Sequence, residues 1–164
     1  MALELAKISD ITELSNLLNQ SYRGDIGWTK EGHLLHGDRI SEKELKDIIL
    51  DQNLHFLILK NNNNIISCSS IQIKNNIGYF GLFAVKVNIQ EKGIGKKVLK
   101  LSEDYAKYIL NLNKITMIVI SQRKELIEYY LRRGYKKTKT NQEANNIGKS
   151  KIENLTIDYL EKDL

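Results

Sequence analysis

Val85-Lys86-Val87-Asn88-Ile89-Gln90-Glu91-Lys92-Gly93-Ile94-Gly95-Lys96-Lys97-Val98-Leu99 runs from an apolar strand, through a polar turn with two glycines, into a helix whose first turn carries two lysines. That is the layout of an anion site. Main-chain N–H groups at a helix start point at the ligand, and the helix dipole favours negative charge there. Gly93 and Gly95 let a phosphate lie against main chain that a side chain would otherwise cover. The turn is not a Walker P-loop, since no G-x-x-x-x-G-K-[ST] surrounds it. Nor is it a dinucleotide fingerprint, which wants a third glycine where Val98 stands.

Outward from this turn the chain alternates cleanly. Upstream, residues 54–60, 65–73 and 77–87 read as strands joined by Asn61-Asn62-Asn63-Asn64 and Asn75-Asn76, an antiparallel meander. Residues 2–8 read as a first strand. Asp10-Ile11-Thr12-Glu13 reads as a capping box before a stripe of Ile11, Leu14, Leu17 and Leu18, reaching about Gln20. Ser41-Glu42-Lys43-Glu44 opens a second, shorter helix. Between them residues 22–40 have no period but hold Trp28, His33, His36 and Arg39, a content that points to function. Downstream, the helix from Gly93 ends near Asn113, and residues 115–120 read as a strand buried on both faces. Glu125 to Arg133 reads as a helix stopped by Gly134, Tyr135 begins a strand, 140–151 is a loop and 152–160 a final strand. The order β-α-α-β-β-β-α-β-α-β-β places the chain in the α/β (α+β) class. With no repeat and no linker, residues 1–164 form one domain.

Composition excludes several classes. No apolar run approaches the ~20 residues that span a bilayer. The start has neither a basic n-region nor an apolar h-region, so a cytoplasmic location is expected. The lone Cys68 makes no internal disulfide, agrees with a reducing compartment, and reads as a small packed side chain in a strand. The net charge of +5 suits a polyphosphate ligand and leaves nucleic acid open.

Two motifs in sequence narrow the reading. Gln90-Glu91-Lys92-Gly93-Ile94-Gly95 fits the pattern [RQ]-x-x-G-x-[GA], and Glu128-Tyr129-Tyr130-Leu131-Arg132-Arg133-Gly134-Tyr135 follows it after one strand. In these motifs, their separation and the element order, the chain resembles the GNAT superfamily of N-acetyltransferases. Gly27-Trp28-Thr29-Lys30-Glu31 also resembles a stretch in some uncharacterised bacterial members. The resemblance implies a mixed, mostly antiparallel sheet of about six to seven strands flanked by about four helices.

It further implies acetyl-CoA as co-substrate, with no metal. Phe83, Ala84 and Val85 would pair with the pantetheine arm, and Gln90, Glu91, Lys92, Gly93, Ile94, Gly95 and Lys96 would wrap the pyrophosphate. Glu91 departs from the pattern, standing where many members have glycine. Tyr130 would protonate the departing thiolate, since a tyrosine keeps its proton at neutral pH. The amine must lose a proton before attack. Glu31 is the first candidate base, with His33, His36 and Asp38 beside it. Trp28 is a wall of the acceptor pocket or a hydrophobic plug, and Arg123 binds an acidic acceptor group or CoA, or lies on the surface.

The expected activity is acetyl transfer to a primary amine by direct attack in a ternary complex. The acceptor is a small molecule or peptide, with no nucleic acid and no membrane as partner and a homodimer possible. Two rivals stay open: a GNAT-fold acyl-CoA sensor without transfer activity, and a small basic nucleic-acid-binding protein that uses the Lys136-Lys137-Thr138-Lys139 run.

Overall fold

Leu54–Asn61 (β2), Asn64–Lys74 (β3) and Ile77–Val85 (β4) form the antiparallel meander that their alternation predicts. Both connecting turns place two successive asparagines at positive φ, 48° and 63° at Asn62 and Asn63 and 50° and 61° at Asn75 and Asn76. Positive φ at both central residues is the type I′ geometry, whose twist matches the flanking strands, and asparagine tolerates it better than other non-glycine residues. The computed structural model describes residues 2–28, 30–145 and 147–164, and only the main chain of Glu91 and Lys92.

Among the described residues the meander is part of a seven-stranded sheet with Glu4–Leu5 (β1), Lys114–Ile120 (β5), Lys136–Glu143 (β6) and Thr156–Asp163 (β7), in the order β1-β2-β3-β4-β5-β7-β6. β4 and β5 run parallel, and the other neighbours antiparallel. Four α-helices cover it: Ile11–Arg23 (α1), Glu42–Leu50 (α2), Ile94–Asp104 (α3) and Lys124–Leu131 (α4). The expected element order and mixed sheet are therefore what the chain adopts. None of these helices is long and apolar enough to cross a membrane.

The strand period decides which helix lies on which face. Phe56 and Ile58 of β2 point one way, onto Leu14 and Leu18 of α1 and Leu45 of α2. Leu57, between them, points the other way into a core with Leu99 of α3, Ile127 of α4 and Ile115 of β5. Full burial of such side chains is worth ~1.5–3 kcal/mol each, so these two layers dominate the fold's stability. Cys68 is buried in the first layer, its Sγ 3.3 Å from the Leu82 carbonyl, as a packed side chain should be.

Several local readings are corrected. The carboxylate cap forms three residues early, because a 3-10 turn over Ile8–Asp10 leads straight into α1. The Asp10 carboxylate accepts from the Lys7 N–H at 2.8 Å, and Glu13 instead accepts from the Ile65 N–H at 2.8 Å. The capping box at Ser41 forms as read. β1 is two residues rather than the stretch 2–8. β6 runs to Glu143 into the expected loop, and β7 ends three residues beyond the expected 160. β5 is half-buried: Ile115, Met117 and Val119 are covered, but Ile118 is 48% exposed because the α1–α2 layer packs on β2 to β4.

One irregularity shapes the rest. β4 and β5 pair only at Gly78–Ile115 and Tyr79–Thr116, yet both strands run several residues further. Past that point β4 carries a bulge, where the register against β3 shifts between Cys68 and Ser70 and Leu82 adopts φ 44°. A bulge bends and over-twists its strand. β4 thus leaves β5, and the sheet opens at its middle.

Candidate active site

The opening exposes a strand edge. The Lys86 N–H donates to the Ile66 carbonyl on the β3 side at 2.9 Å. By alternation the main chain of Val85, and of Phe83 before it, faces the gap, whereas Ala84 pairs with Cys68 and its carbonyl accepts from Ser67 Oγ. Tyr22, from the last turn of α1, donates its hydroxyl to the Phe83 carbonyl at 2.8 Å. Gln90 Nε2 donates to the Val85 carbonyl at 3.0 Å.

Two cavities meet at this opening. The smaller, about 260 Å³, is lined by Val85, Gly93, Gly95, Lys96, Tyr130 and Arg133 among others. Gly93 takes φ 73° at the start of α3, the left-handed conformation that favours glycine, and a Cβ there would meet nothing within 4 Å. A Cβ on Gly95 would sit 3.5 Å from Tyr129 Oη and 3.7 Å from Val85, filling part of the chamber. Ile94 turns its side chain the other way, onto Leu59, Ile66 and Val98, so only its main chain faces a ligand. The free N-terminal turn of α3, the open edge of β4 and bare main chain at two glycines suit a long ligand with phosphates at one end. The side chains of Glu91 and Lys92 lie outside the described residues, and the main chain of both belongs to a 3-10 segment over Val87–Lys92.

The larger cavity, about 500 Å³, has apolar walls from both parted strands, including Leu82, Met117 and Val119. Its polar residues are Arg23, Glu31, His36, Asp38, Arg39 and Glu44. Tyr130 lines both cavities. α4 delivers it with its ring 5.3 Å from that of Tyr129 and 5.5 Å from that of Tyr135, both edge-on. Burial pushes the Tyr130 hydroxyl well above its ordinary pKa, so it stays protonated through the neutral range.

The irregular segment after α1 is tied down by polar contacts over long sequence distances. Gln90 Oε1 accepts from the Trp28 N–H at 2.6 Å. Arg123 donates to the Trp28 carbonyl at 2.8 Å and the Lys30 carbonyl at 3.3 Å, and pairs with Glu125 at 2.5 Å. It is 3% exposed. Glu31 lies between two arginines, 3.3 Å from Arg23 and 3.6 Å from Arg123. Burial raises the Glu31 carboxyl above its ordinary value against the pull of Arg123, Arg23 and Arg39.

Glu31, Tyr130 and the glycine turn, far apart in the chain, are thus brought to one opening. Trp28 lines the smaller chamber, its ring 5.0 Å from Tyr129, rather than the larger cavity. Arg123 lines neither cavity and sits beneath the segment it tethers. His33 is exposed and away from the larger cavity, whereas His36 and Asp38 stand at it. Sequence reasoning missed Tyr22 and Arg133. Tyr22 falls in the sequence at the start of the irregular segment 22–40, whereas the structure extends α1 over it to Arg23. Arg133 lies within the second motif, and its guanidinium stacks 3.3 Å over the Tyr129 ring. Among the described residues no group of three or more His, Cys, Asp or Glu is arranged to hold a metal ion.

Comparison with known proteins agrees with this geometry. A family profile described as an acetyltransferase (GNAT) domain matches residues 28–151. No curated protein matches the chain as a relative. Among solved structures it is similar to a spermidine N-acetyltransferase of Vibrio cholerae in complex with CoA and spermine, at 20% identity and TM-score 0.72, covering 98% of this chain and 93% of that one. It is also similar to the PaiA N-acetyltransferase of Thermoplasma acidophilum in complex with coenzyme A, at 19% identity and TM-score 0.72, over 100% of each chain. A third, the ribosomal-protein-S18-alanine N-acetyltransferase of Escherichia coli, shares 13% identity at TM-score 0.72, over 99% and 92%. At these identities the likeness shows the fold.

The tether is open to test. Arg123→Met leaves two carbonyls and the buried Glu31 short of a partner, and is expected to cost ~3–5 kcal/mol in urea unfolding. Trp28 is the one tryptophan of the chain and reports the segment directly. Its emission should shift to the red in the variant. An unshifted spectrum at undiminished stability would show that the segment holds without Arg123.

Proposed function

The chain belongs to the GNAT acetyltransferase family, and we propose that it moves an acetyl group from acetyl-CoA to a primary amine by direct attack in a ternary complex. The observation that carries this reading is Tyr130, a buried proton donor at the wall shared by two cavities. One cavity offers main chain for a phosphate-bearing arm, and the other offers a carboxylate and apolar walls.

Bound acetyl-CoA supplies an electrophilic thioester carbonyl and a thiolate leaving group. The remaining steps belong to side chains and main chain of this protein. The N–H groups at the start of α3 receive the diphosphate, aided by the helix dipole. Lys96 and Lys97 are exposed, so each adds less than ~1 kcal/mol and the amides dominate. The main chain of Phe83 and Val85 pairs with the pantetheine arm as an added strand would. Gln90 serves the site indirectly, holding Trp28 over the chamber and steadying the Val85 carbonyl. Arg123 is a positioning residue for the segment that carries Glu31.

The Glu31 carboxylate takes the proton that the amine must lose, and Tyr130 Oη gives its proton to the departing sulfur. Holding both substrates across one opening removes much of the entropic cost of their encounter. Acetyl transfer is favoured over a passive sensor because a sensor needs neither the buried phenol nor the second cavity. The lone buried Cys68 fits the reducing cytoplasm, where we place the protein.

A thiol-release assay with acetyl-CoA over an amine panel, with mass spectrometry of the products, tests the reaction. Tyr130→Phe should lower kcat by ~10²-fold or more while leaving the affinity for CoA nearly unchanged. Undiminished turnover would remove Tyr130 from the chemistry. Glu31 sets the pH dependence. It accepts a proton only when ionised, and burial lifts it above its ordinary value. The acidic limb of kcat/KM should therefore lie above the ordinary carboxylate range, with activity falling as pH drops through it. Glu31→Gln should abolish that limb; a limb that survives the substitution assigns the base elsewhere.

A further inference from the structure

The charges of the larger cavity say which amines it accepts. Three carboxylates line it, but two are already engaged. Glu31 holds Arg23 at 3.3 Å and Arg123 at 3.6 Å. Glu44 caps α2, accepting from the Ser41 N–H at 2.7 Å and the Ser41 hydroxyl at 2.6 Å. Asp38 is exposed. Arg39 is the contrasting case. It lines the same cavity, its guanidinium 5.2 Å over the Tyr22 ring, and no carboxylate of the described residues forms an ion pair with it. Its N–H donates to Asn19 Oδ1 at 2.6 Å, so its backbone is fixed while its charge faces the cavity. Tyr22 in turn donates to the Phe83 carbonyl at the parted edge of β4. Arg39 thus stands one ring away from the strand edge, in the cavity that Tyr130 also lines.

A polyamine would bring further ammonium groups beside Arg23 and Arg39, with no uncommitted buried carboxylate to meet them. A monoamine with an anionic end matches the residues better. A guanidinium binds a carboxylate through paired, charge-assisted hydrogen bonds. The walls of Leu82, Met117 and Val119 favour an apolar body. At about 500 Å³ the cavity has room for a ligand of that size.

Resting on the acetyl-transfer reading above, we propose that the acceptor is an amino acid with an apolar side chain, its carboxylate on Arg39 and its amine directed toward Glu31 and Tyr130. The amine nitrogen forms a bond to the acetyl carbonyl carbon. The carbon–sulfur bond breaks with its electron pair on sulfur. Glu31 takes the proton that the ammonium loses before attack, Tyr130 protonates the departing sulfur, and the second proton, lost by the nitrogen as the tetrahedral intermediate collapses, replaces the one that Tyr130 gave up. The products are the N-acetylated amino acid and free CoA.

The test compares methionine and phenylalanine with the same molecules lacking the carboxylate, 3-(methylthio)propylamine and phenethylamine, and with spermidine. The wild-type protein should prefer each amino acid to its decarboxylated analogue by at least about tenfold in kcat/KM, and to spermidine by more. Arg39→Met should erase most of that preference, chiefly through KM, and Arg39→Lys should restore part of it. Arg39 is half-exposed, and an unchanged unfolding midpoint would confirm that both variants fold. Spermidine or the decarboxylated amines serving as well as the amino acids would overturn the acceptor assignment and leave acetyl transfer standing. So would a preference that survives Arg39→Met. CoA binding by calorimetry without thiol release from any of these amines would overturn both readings.

Discussion

β4 and β5 hold each other through two residue pairs and then separate, and everything at the site depends on that separation. A continuous parallel pair would have satisfied the inner edge of β4 and filled the middle of the sheet. The bulge at Leu82 bends β4 away before its main chain can be used up by a neighbour strand. What remains is an edge inside the molecule without a neighbour strand, its Phe83 and Val85 carbonyls held by side chains. Edges of that kind invite an added strand, and in the proposed function an extended amide-bearing arm would fill the role. The same parting lets α4 place Tyr130 where both cavities reach it.

The segment between α1 and α2 closes the opening from the other side, and it does so with polar contacts. Gln90, Arg123 and the Arg23–Glu31 pair fix it across gaps of 62, 95 and 8 residues. Buried ion pairs of this type add little net stability, because desolvation offsets the attraction. Their effect is geometric. They hold Trp28 over the smaller chamber and Glu31 at the larger cavity. Further along, the Leu35–Ser150 bridge and the Lys151 N–H to Leu34 carbonyl bond lay residues 147–152 across the same cavity.

Period and turn chemistry made most of the fold legible. The meander, the Asn-Asn turns and the helix stripes are local signals, and they led to the observed element order. The errors have one physical source. Asp10-Ile11-Thr12-Glu13 looks like a cap, but Glu13 is drawn to the Ile65 N–H, 52 residues away. Residues 115–120 look buried on both faces, yet no helix of the α1–α2 layer reaches Ile118. The site divides in the same way. The glycine turn and Tyr130 lie in compact motifs and could be read. Arg123 could be read as functional but not as a tether, because its partners stand at Trp28 and Lys30. Tyr22 gives no signal until α1 and the strand edge are placed together, and Arg39, noted only as part of the irregular segment, gains a place at the site by the same contact.

The central claim is that the parted edge of β4 and the start of α3 form one continuous donor site. Titration of isotope-labelled protein with CoA, followed by amide NMR, tests it most directly. The account predicts that the Val85 amide and those from Gly93 to Lys96 shift together with a single affinity, with the Trp28 indole moving alongside. Shifts confined to the exposed lysines of β6, or none at millimolar CoA, would contradict it.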